Sequence, residues 1–352
     1  MVRKFVSATV ILTLCFSSVF AQDSTKKGAL TLSGSVDAYY RFNFANAKDS
    51  GHVNNFTSFT NSQNSFEIGM ASLKADYSIG KVDGVLDLGF GRRASEFSYN
   101  DQGAMAAIKQ AYISYAPSDK IKFTMGKWGT HVGYELLDAY LNRNYSMDYM
   151  FSYGPFFHTG LKADITVSKN FAFMIGVANP TDYTTASFSN KSFLGQIHLN
   201  STDGKLGGYL NYVGGKDFSG NSSINQVDAV ITGVVSSKFS IGYNGTVKSV
   251  KPKSGSSSSW YGNALYLNID PTPVFGLTAR GEMFSDKNGV AGLGTNIFDA
   301  TLSANIHIDN LTIIPEFRVD AAKNPIFYTN TDKLSPSAKS TGAFILAVTY
   351  HF

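Results

Sequence analysis

The sequence predicts an all-β fold: a transmembrane antiparallel up-and-down β-barrel of about sixteen strands, with short periplasmic turns and long extracellular loops. Three observations predict it. Apolar and polar residues alternate along stretches of about ten residues, the length at which a strand crosses a bilayer. Short connections alternate with long ones, as in outer-membrane barrels and unlike a soluble sandwich. The composition argues against the rivals. Only 16% of the 352 residues are charged, while 43% are hydrophobic and 14% aromatic. Soluble domains carry about 25% charge, and disordered chains are rich in charge and poor in aromatics. The 30 basic and 26 acidic residues are not clustered, which speaks against a nucleic-acid partner.

Residues 1–21 read as a secretory signal peptide. Arg3 and Lys4 are followed by an apolar stretch over 5–16 and a small residue, Ala21, at the cleavage position. That stretch is short of the ~20 residues a spanning helix needs. Cys15 is the only cysteine and leaves with the leader, so the exported chain has no disulfide and no cysteine-based metal site. Residues 22–28 form a short linker, and 29–352 a single barrel. No later apolar run reaches helical spanning length.

Residues 30–44 show the pattern most plainly. Leu30, Leu32, Val36, Ala38, Tyr40 and Phe42 share one parity, and Thr31, Ser33, Asp37 and Arg41 the other. Side chains alternate faces along a strand, so one face is apolar and one polar. The same rhythm places strands near 29–45, 64–78, 82–91, 108–116, 121–128, 156–167, 171–178 and 191–201. It continues near 206–213, 225–235, 239–249, 260–269, 274–284, 297–308, 311–321 and 341–352. Even strands are followed by short turns, and odd strands by loops from 250–259 up to 129–155. Three places break the rhythm. Pro315 removes a ladder donor in mid-strand. Phe66, Ile68 and Met70 put apolar groups on the inward parity, and Lys109 and Lys127 put charge on the outward one, so bulges or misplaced strand boundaries are expected there. In the last strand Leu346 is assigned to lipid and Ala347 to a solvated lumen. The chain ends on Phe352, with Tyr350 two residues before it, a terminal aromatic strand of the kind that barrel-assembly machinery reads.

A barrel closes because lipid cannot satisfy an open sheet edge, and about sixteen strands leave an aqueous channel. The expected pore-lining residues are Asp37, Arg41, Lys74, Lys122, Lys162, Asp164, Arg280, Glu282 and Arg318. Lys248, Asp76, Asp87, Asp228, Asp299, Glu316 and Asp320 share their parity. Mixed signs argue against a single-sign selectivity ring. The longest loop, 129–155, is rich in tyrosine and phenylalanine, and residues 135–141 could form two helical turns. Such a loop is expected to fold inward as a constriction with Tyr134, Glu135 and Arg143 near the narrowest point; the alternative is an external cap.

Residues 109–115 (Lys-Gln-Ala-Tyr-Ile-Ser-Tyr), 126–130 (Gly-Lys-Trp-Gly-Thr), Gly133-Tyr134-Glu135, 142–146 (Asn-Arg-Asn-Tyr-Ser), Pro155 and His158-Thr159-Gly160 carry a family resemblance. The chain resembles the putative β-barrel porin-2, OmpL-like family of outer-membrane proteins, common in Bacteroidota, most strongly over 108–162. The resemblance implies an outer-membrane barrel in a Gram-negative bacterium, and supplies no substrate and no catalytic residue. The expected activity is passive diffusion of small hydrophilic solutes or ions. The alternative is an adhesin or structural barrel with a blocked lumen, whose polar loops 46–63 and 322–340 would bind a partner. An enzyme is not expected. His52, His131, His158, His198, His307 and His351 show no metal spacing, and His158-Thr159 lacks the serine of a membrane phospholipase. No metal or other cofactor is expected. The expected partners are outer-membrane lipid, the barrel-assembly machinery through Phe352, and small solutes. A homotrimer follows only by analogy with other sixteen-stranded porins.

Overall fold

The computed structural model describes residues 27–332 and 334–352. The expected signal peptide, residues 1–21, and most of the expected linker lie outside them.

Sixteen antiparallel strands close into one barrel. They are β1 (Ala29–Asn43), β2 (Ser65–Ile79), β3 (Val82–Phe90), β4 (Ile108–Ser118), β5 (Ile121–Gly129), β6 (Phe157–Ser168), β7 (Phe171–Ala178) and β8 (Ser192–Asn200). Then follow β9 (Leu206–Lys216), β10 (Ser222–Ser236), β11 (Phe239–Pro252), β12 (Ser258–Thr272), β13 (Phe275–Ser285), β14 (Asn296–Ile308), β15 (Leu311–Ala322) and β16 (Ser340–His351). Each strand pairs with its sequence neighbours, and β16 closes on β1. The last residue joins the closure: Gly34 and Phe352 exchange two backbone hydrogen bonds of 3.0 Å.

The apolar parity lies outside. Leu32, Leu73, Ile113, Ile175, Leu302 and Phe317 are exposed on the wall, as a lipid-facing band requires. Turns such as 80–81 and 309–310 sit at one end. The loops 44–64, 91–107, 130–156, 179–191, 286–295 and 323–339 sit at the other. The sorting is weaker between β9 and β12. There the strands run past their expected ends, so loops 217–221 and 253–257 are no longer than turn 201–205.

The irregular places are resolved by bulges and a gap. The β1–β2 register shifts between Asp37 and Ala38, leaving Gly69 unpaired. This turns Phe66 and Ile68 outward while Met70 stays buried. Lys109 is the extra residue of a bulge opposite Asp87 and Leu88, and it is buried rather than lipid-facing. Lys127 keeps its register with Ala111 and Thr159. It escapes lipid because loop 91–107 covers it: Nζ meets Asp101 at 2.9 Å and lies 3.9 Å from the Phe157 ring centroid. At Pro315 the β14–β15 ladder lapses between Ser303↔Glu316 and Ile306↔Ile313, while the β16 side continues unbroken.

The interior is not a uniformly wet surface. Ala347 is fully buried against Tyr39, Ala139 and Tyr145, so an arginine there would have no solvent to face. The contrast expected between positions 346 and 347 is replaced by one between other sites. Leu302→Arg faces lipid in mid-strand and is expected to cost about 2–4 kcal/mol. His198→Arg, on the partly exposed inner wall, is expected to assemble normally. The heat-resistant folded band on cold gel electrophoresis measures both, and equal yields would overturn the assigned faces.

Candidate functional site

An irregular segment buried inside a barrel has peptide groups that need partners, because neither a ladder nor bulk water supplies them. Loop 130–156 meets this requirement with charged side chains of the wall. It leaves β5, crosses the lumen, and lies against β8–β16 and β1 before returning to β6.

Two glutamates of the wall each hold a pair of its adjacent amides. Glu316 on β15 accepts from Tyr145 N at 2.7 Å and Ser146 N at 3.0 Å. Glu282 on β13 accepts from Tyr149 N at 2.7 Å and Met150 N at 3.0 Å. Two arginines hold its carbonyls. Arg280 donates to Ser146 O at 2.7 Å, and Arg318 to Met147 O at 2.7 Å. Asp299 binds both guanidiniums, at 3.1 Å and 2.8 Å, and so fixes their spacing. Arg93, from the short helix α1 (Arg92–Phe97), reaches Leu137 O at 3.1 Å from the opposite side. Tyr145 donates its hydroxyl to Asp37 at 2.6 Å, and Tyr149 to Asp320 at 2.9 Å.

Small residues on the inward parity make room for this contact. A Cβ on Gly69 would overlap the Asp37 carboxylate and the Tyr145 hydroxyl. A Cβ on Gly242 would stand 2.6 Å from the Tyr134 ring, and one on Gly262 2.5 Å from Met150. The wall is therefore shaped for the loop as well as charged for it.

The expected constriction residues belong to this anchorage. Tyr134 stacks on Tyr266 with centroids 4.1 Å apart. Glu135 is 3% exposed and pairs with Arg280 at 2.6 Å. It also accepts from Asp148 N at 2.7 Å. Burial raises its carboxyl above the usual carboxylate range, with Asp148 adding to the rise and Arg280 opposing it. Arg143 reaches the turn end of the barrel, where it bonds Asp270 and donates to Thr278 at 2.8 Å. Glu135→Lys would place two cations together in a buried site, so its first effect is on the anchor, not on ion preference. The expected helix over 135–141 is absent. Asn142 clamps Leu136, accepting from its N at 2.9 Å and donating to its O at 2.5 Å. That ring leaves a single helical turn, Ala139–Leu141. A second short helix, α2 (Tyr149–Ser152), is capped by Asp148.

The expected pore-lining residues divide into two groups. Asp37, Arg41, Arg280, Glu282 and Arg318 point inward but are buried beneath loops. Arg41 is spent on loop 44–64, donating to Val53 O at 2.8 Å and Ser62 O at 2.7 Å. Lys74, Lys122, Lys162 and Asp164 remain at least partly exposed on β2, β5 and β6. Lys74 pairs with Asp76 at 3.1 Å and Lys162 with Asp164 at 3.1 Å. The exposed inner wall among these residues lies on β2, β5 and β6, whereas on β7–β9 Val132 of the loop packs with Met174, Leu194 and Val213 in a buried cluster.

Two cavities lie beside loop 130–156. One of about 670 Å³ opens at the loop end, and one of about 240 Å³ lies deeper, beside Lys109, Gln110 and Leu137. Phe156 lines both, and Phe97 and Phe151 line the inner one. These rings pack with Phe59, Met147 and Phe157 in one buried cluster. Loop 46–63 is therefore not a plain solvated loop. Phe156 is the ring the two cavities share; Glu135 lines the inner one, and Tyr134 and Arg143 line neither. The sequence reading missed Phe97 and Phe156 because neither lies in an alternating strand. It also missed the inward glycines at 69, 242 and 262, whose role depends on where the loop lies.

A family profile described as "Putative beta-barrel porin-2, OmpL-like" matches residues 29–352. The chain belongs to this family. It is an outer-membrane β-barrel of the porin class. Among solved structures, the anion-selective porin from Comamonas acidovorans is similar at 10% identity and a TM-score of 0.62, covering 93% of this chain and 100% of that one. The outer-membrane channel DcaP of Acinetobacter baumannii is similar at 12% identity and 0.62, covering 94% and 99%. OmpT of Vibrio cholerae in its trimer form is similar at 11% and 0.60, covering 92% and 99%. At such identities these likenesses establish the fold. No curated protein matches the chain.

The anchorage can be tested amide by amide. Glu316→Ala should raise hydrogen exchange at Tyr145 and Ser146 and leave Tyr149 and Met150 protected. Glu282→Ala should do the reverse. Each orphaned buried amide costs about 1–3 kcal/mol, so the folded state should also weaken. Unchanged exchange in both variants would mean that other groups hold the loop.

Proposed function

We propose that the chain forms a water-filled channel through the outer membrane of a Gram-negative bacterium, passing small hydrophilic solutes or ions by passive diffusion. The observation that carries this reading is the division of the inner wall. One half holds loop 130–156 by charge, while the other keeps Lys74, Lys122, Lys162 and Asp164 exposed. A loop drawn to one side of a sixteen-stranded barrel narrows the lumen and keeps a polar surface opposite. The ring cluster of Phe97, Phe151 and Phe156 is the throat of the path. The reading includes no catalytic step and no cofactor.

The channel resides in lipid through its outer apolar parity and enters the membrane through the assembly machinery, with Phe352 as the terminal signal. Three chains associate, as the trimer form of the Vibrio cholerae protein illustrates. A surface suited to that packing is the shallow apolar groove of about 520 Å³ on β2–β5, floored by Ala75, Gly84 and Ala111. Light scattering in detergent should give the mass of three chains; a monomer mass would remove this part of the reading.

Planar-bilayer recording tests the channel. The folded protein should give open steps of porin size. Deleting residues 136–142 should enlarge them, and Phe156→Ala should enlarge them less. A barrel that assembles but stays silent, with both variants also silent, would favour the blocked barrel of an adhesin or structural protein.

A further inference from the structure

A row of lysines stands on the outer wall at the loop end of β8–β11. Phe193 and Tyr212 are exposed on the lipid-facing side of β8 and β9, and Val227 and Val247 on that of β10 and β11. Alternation carries these faces to the strand ends. It places Lys216, Ser223 and Lys251 on the outer face, and the register sets them side by side. Ser223 pairs with Lys216 on one hand and with Lys251 on the other. Lys191 extends the row toward β8: Phe193 pairs with Gly214, so the next outward step sets Lys191 opposite Lys216. Lys253 follows Lys251 on the same parity, and its Nζ donates to Asn221 Oδ1 at 3.4 Å.

The row has no counter-charge within the protein. Among the described residues, the lysines in ion pairs are Lys74, Lys109, Lys127 and Lys162, which lie inside the barrel or beneath a loop. The bonds of the row go to neutral groups. Lys216 donates to Ser223 Oγ at 2.8 Å, and Lys191 to Asn179 Oδ1 at 3.0 Å. The adjacent carboxylate, Asp217, is folded into its own turn, where it accepts from Ser219 Oγ and Ser222 N at 3.1 Å. Like charges directly opposite on paired strands are destabilising, so Lys191 beside Lys216 is a cost that a bound anion removes.

The height of the row says which anion it meets. Just below it, on the same outer face, lie Tyr212, Tyr243 and Tyr261. Tyr212 and Tyr243 lean toward the loop end: a Cβ on Gly214 would overlap the first hydroxyl, and one on Gly245 would stand 2.5 Å from the second. These hydroxyls donate to Asn225 at 2.8 Å and to Asn263 at 2.6 Å. An aromatic girdle marks the membrane–water interface of a barrel. Lysines one step beyond it, on the outside of the wall, stand level with lipid headgroups and away from the solute path.

We propose that Lys191, Lys216, Lys251 and Lys253 dock the phosphorylated headgroup of an outer-leaflet lipid. Three strand spacings put roughly 14 Å between the β8 and β11 ends of the row, room for a headgroup that carries two phosphates. The inference goes beyond the channel reading and needs from it only that the loop end faces outward.

Native mass spectrometry of the whole chain, folded in a neutral detergent, tests this with diphosphoryl lipid A and zwitterionic phosphatidylethanolamine as probes. Lipid A should bind about 10-fold or more tightly than phosphatidylethanolamine, because each lysine near an anionic headgroup adds to the attraction. The triple variant Lys191→Gln, Lys216→Gln, Lys251→Gln should lose that preference and keep its binding of phosphatidylethanolamine. Lys216→Arg should bind lipid A as the parent does. Lys205→Gln with Lys238→Gln, at the turn end, should change nothing. Each variant is first shown to fold by its heat-shifted band. Equal binding of the two lipids by the parent, or undiminished lipid A binding by the triple variant, overturns the docking row. A loss in the turn-end pair as large as that in the triple variant overturns it too. Conductance in planar bilayers is read separately. A chain that conducts but shows no lipid preference keeps the channel and loses the row; one that never conducts while lipid A binding follows the row keeps the row and loses the channel.

Discussion

The structure depends on one constraint: peptide groups enclosed in a membrane barrel need partners from within the protein. Loop 130–156 has almost no ladder of its own, and it lies against a wall that bulk water does not reach. Glu282, Glu316, Arg280 and Arg318 meet the constraint by treating the loop backbone as their ligand. Charge is used because a carboxylate accepts two adjacent amides at once and a guanidinium serves several carbonyls from one plane. Asp299 between the two arginines keeps those cations from repelling one another across the wall.

Much else follows from that anchorage. The wall that holds the loop carries glycine where the loop comes closest, at Gly69, Gly242 and Gly262. The bulge at Gly69 both reverses the parity of β2 and opens the space in which Asp37 meets Tyr145. Loops 44–64 and 91–107 then pack on the inserted loop through Phe59, Phe97 and Arg93, so the outer mouth is built from loops on a scaffold that is itself a loop. The groups left exposed on β2, β5 and β6 are what remains for solute once the internal demands are met.

The charged residues show why parity alone misassigns roles. Arg280, Glu282 and Arg318 have the same inward alternation as Lys122 and Lys162, and nothing in their local sequence separates them. The first three are structural because the loop happens to cover them, and the other two face open space because it does not. Glu135 is the sharpest case. A carboxylate in the longest loop reads as a gatekeeper, yet it is held by Arg280 and the Asp148 amide in a site closed to solvent.

The sequence by itself determined the sixteen strands, their faces and the order of loops. These follow from period-two alternation and from the need to close every edge in lipid, both of which act residue by residue along the chain. It even marked the places where alternation fails, at Phe66–Met70, Lys109 and Pro315, though not whether a bulge or a gap would answer each. Tertiary structure alone decided where loop 130–156 goes and which inward charges it consumes. The groups that decide it lie on opposite walls more than a hundred residues apart, and a contact such as Tyr145 with Glu316 leaves no periodic trace in either strand.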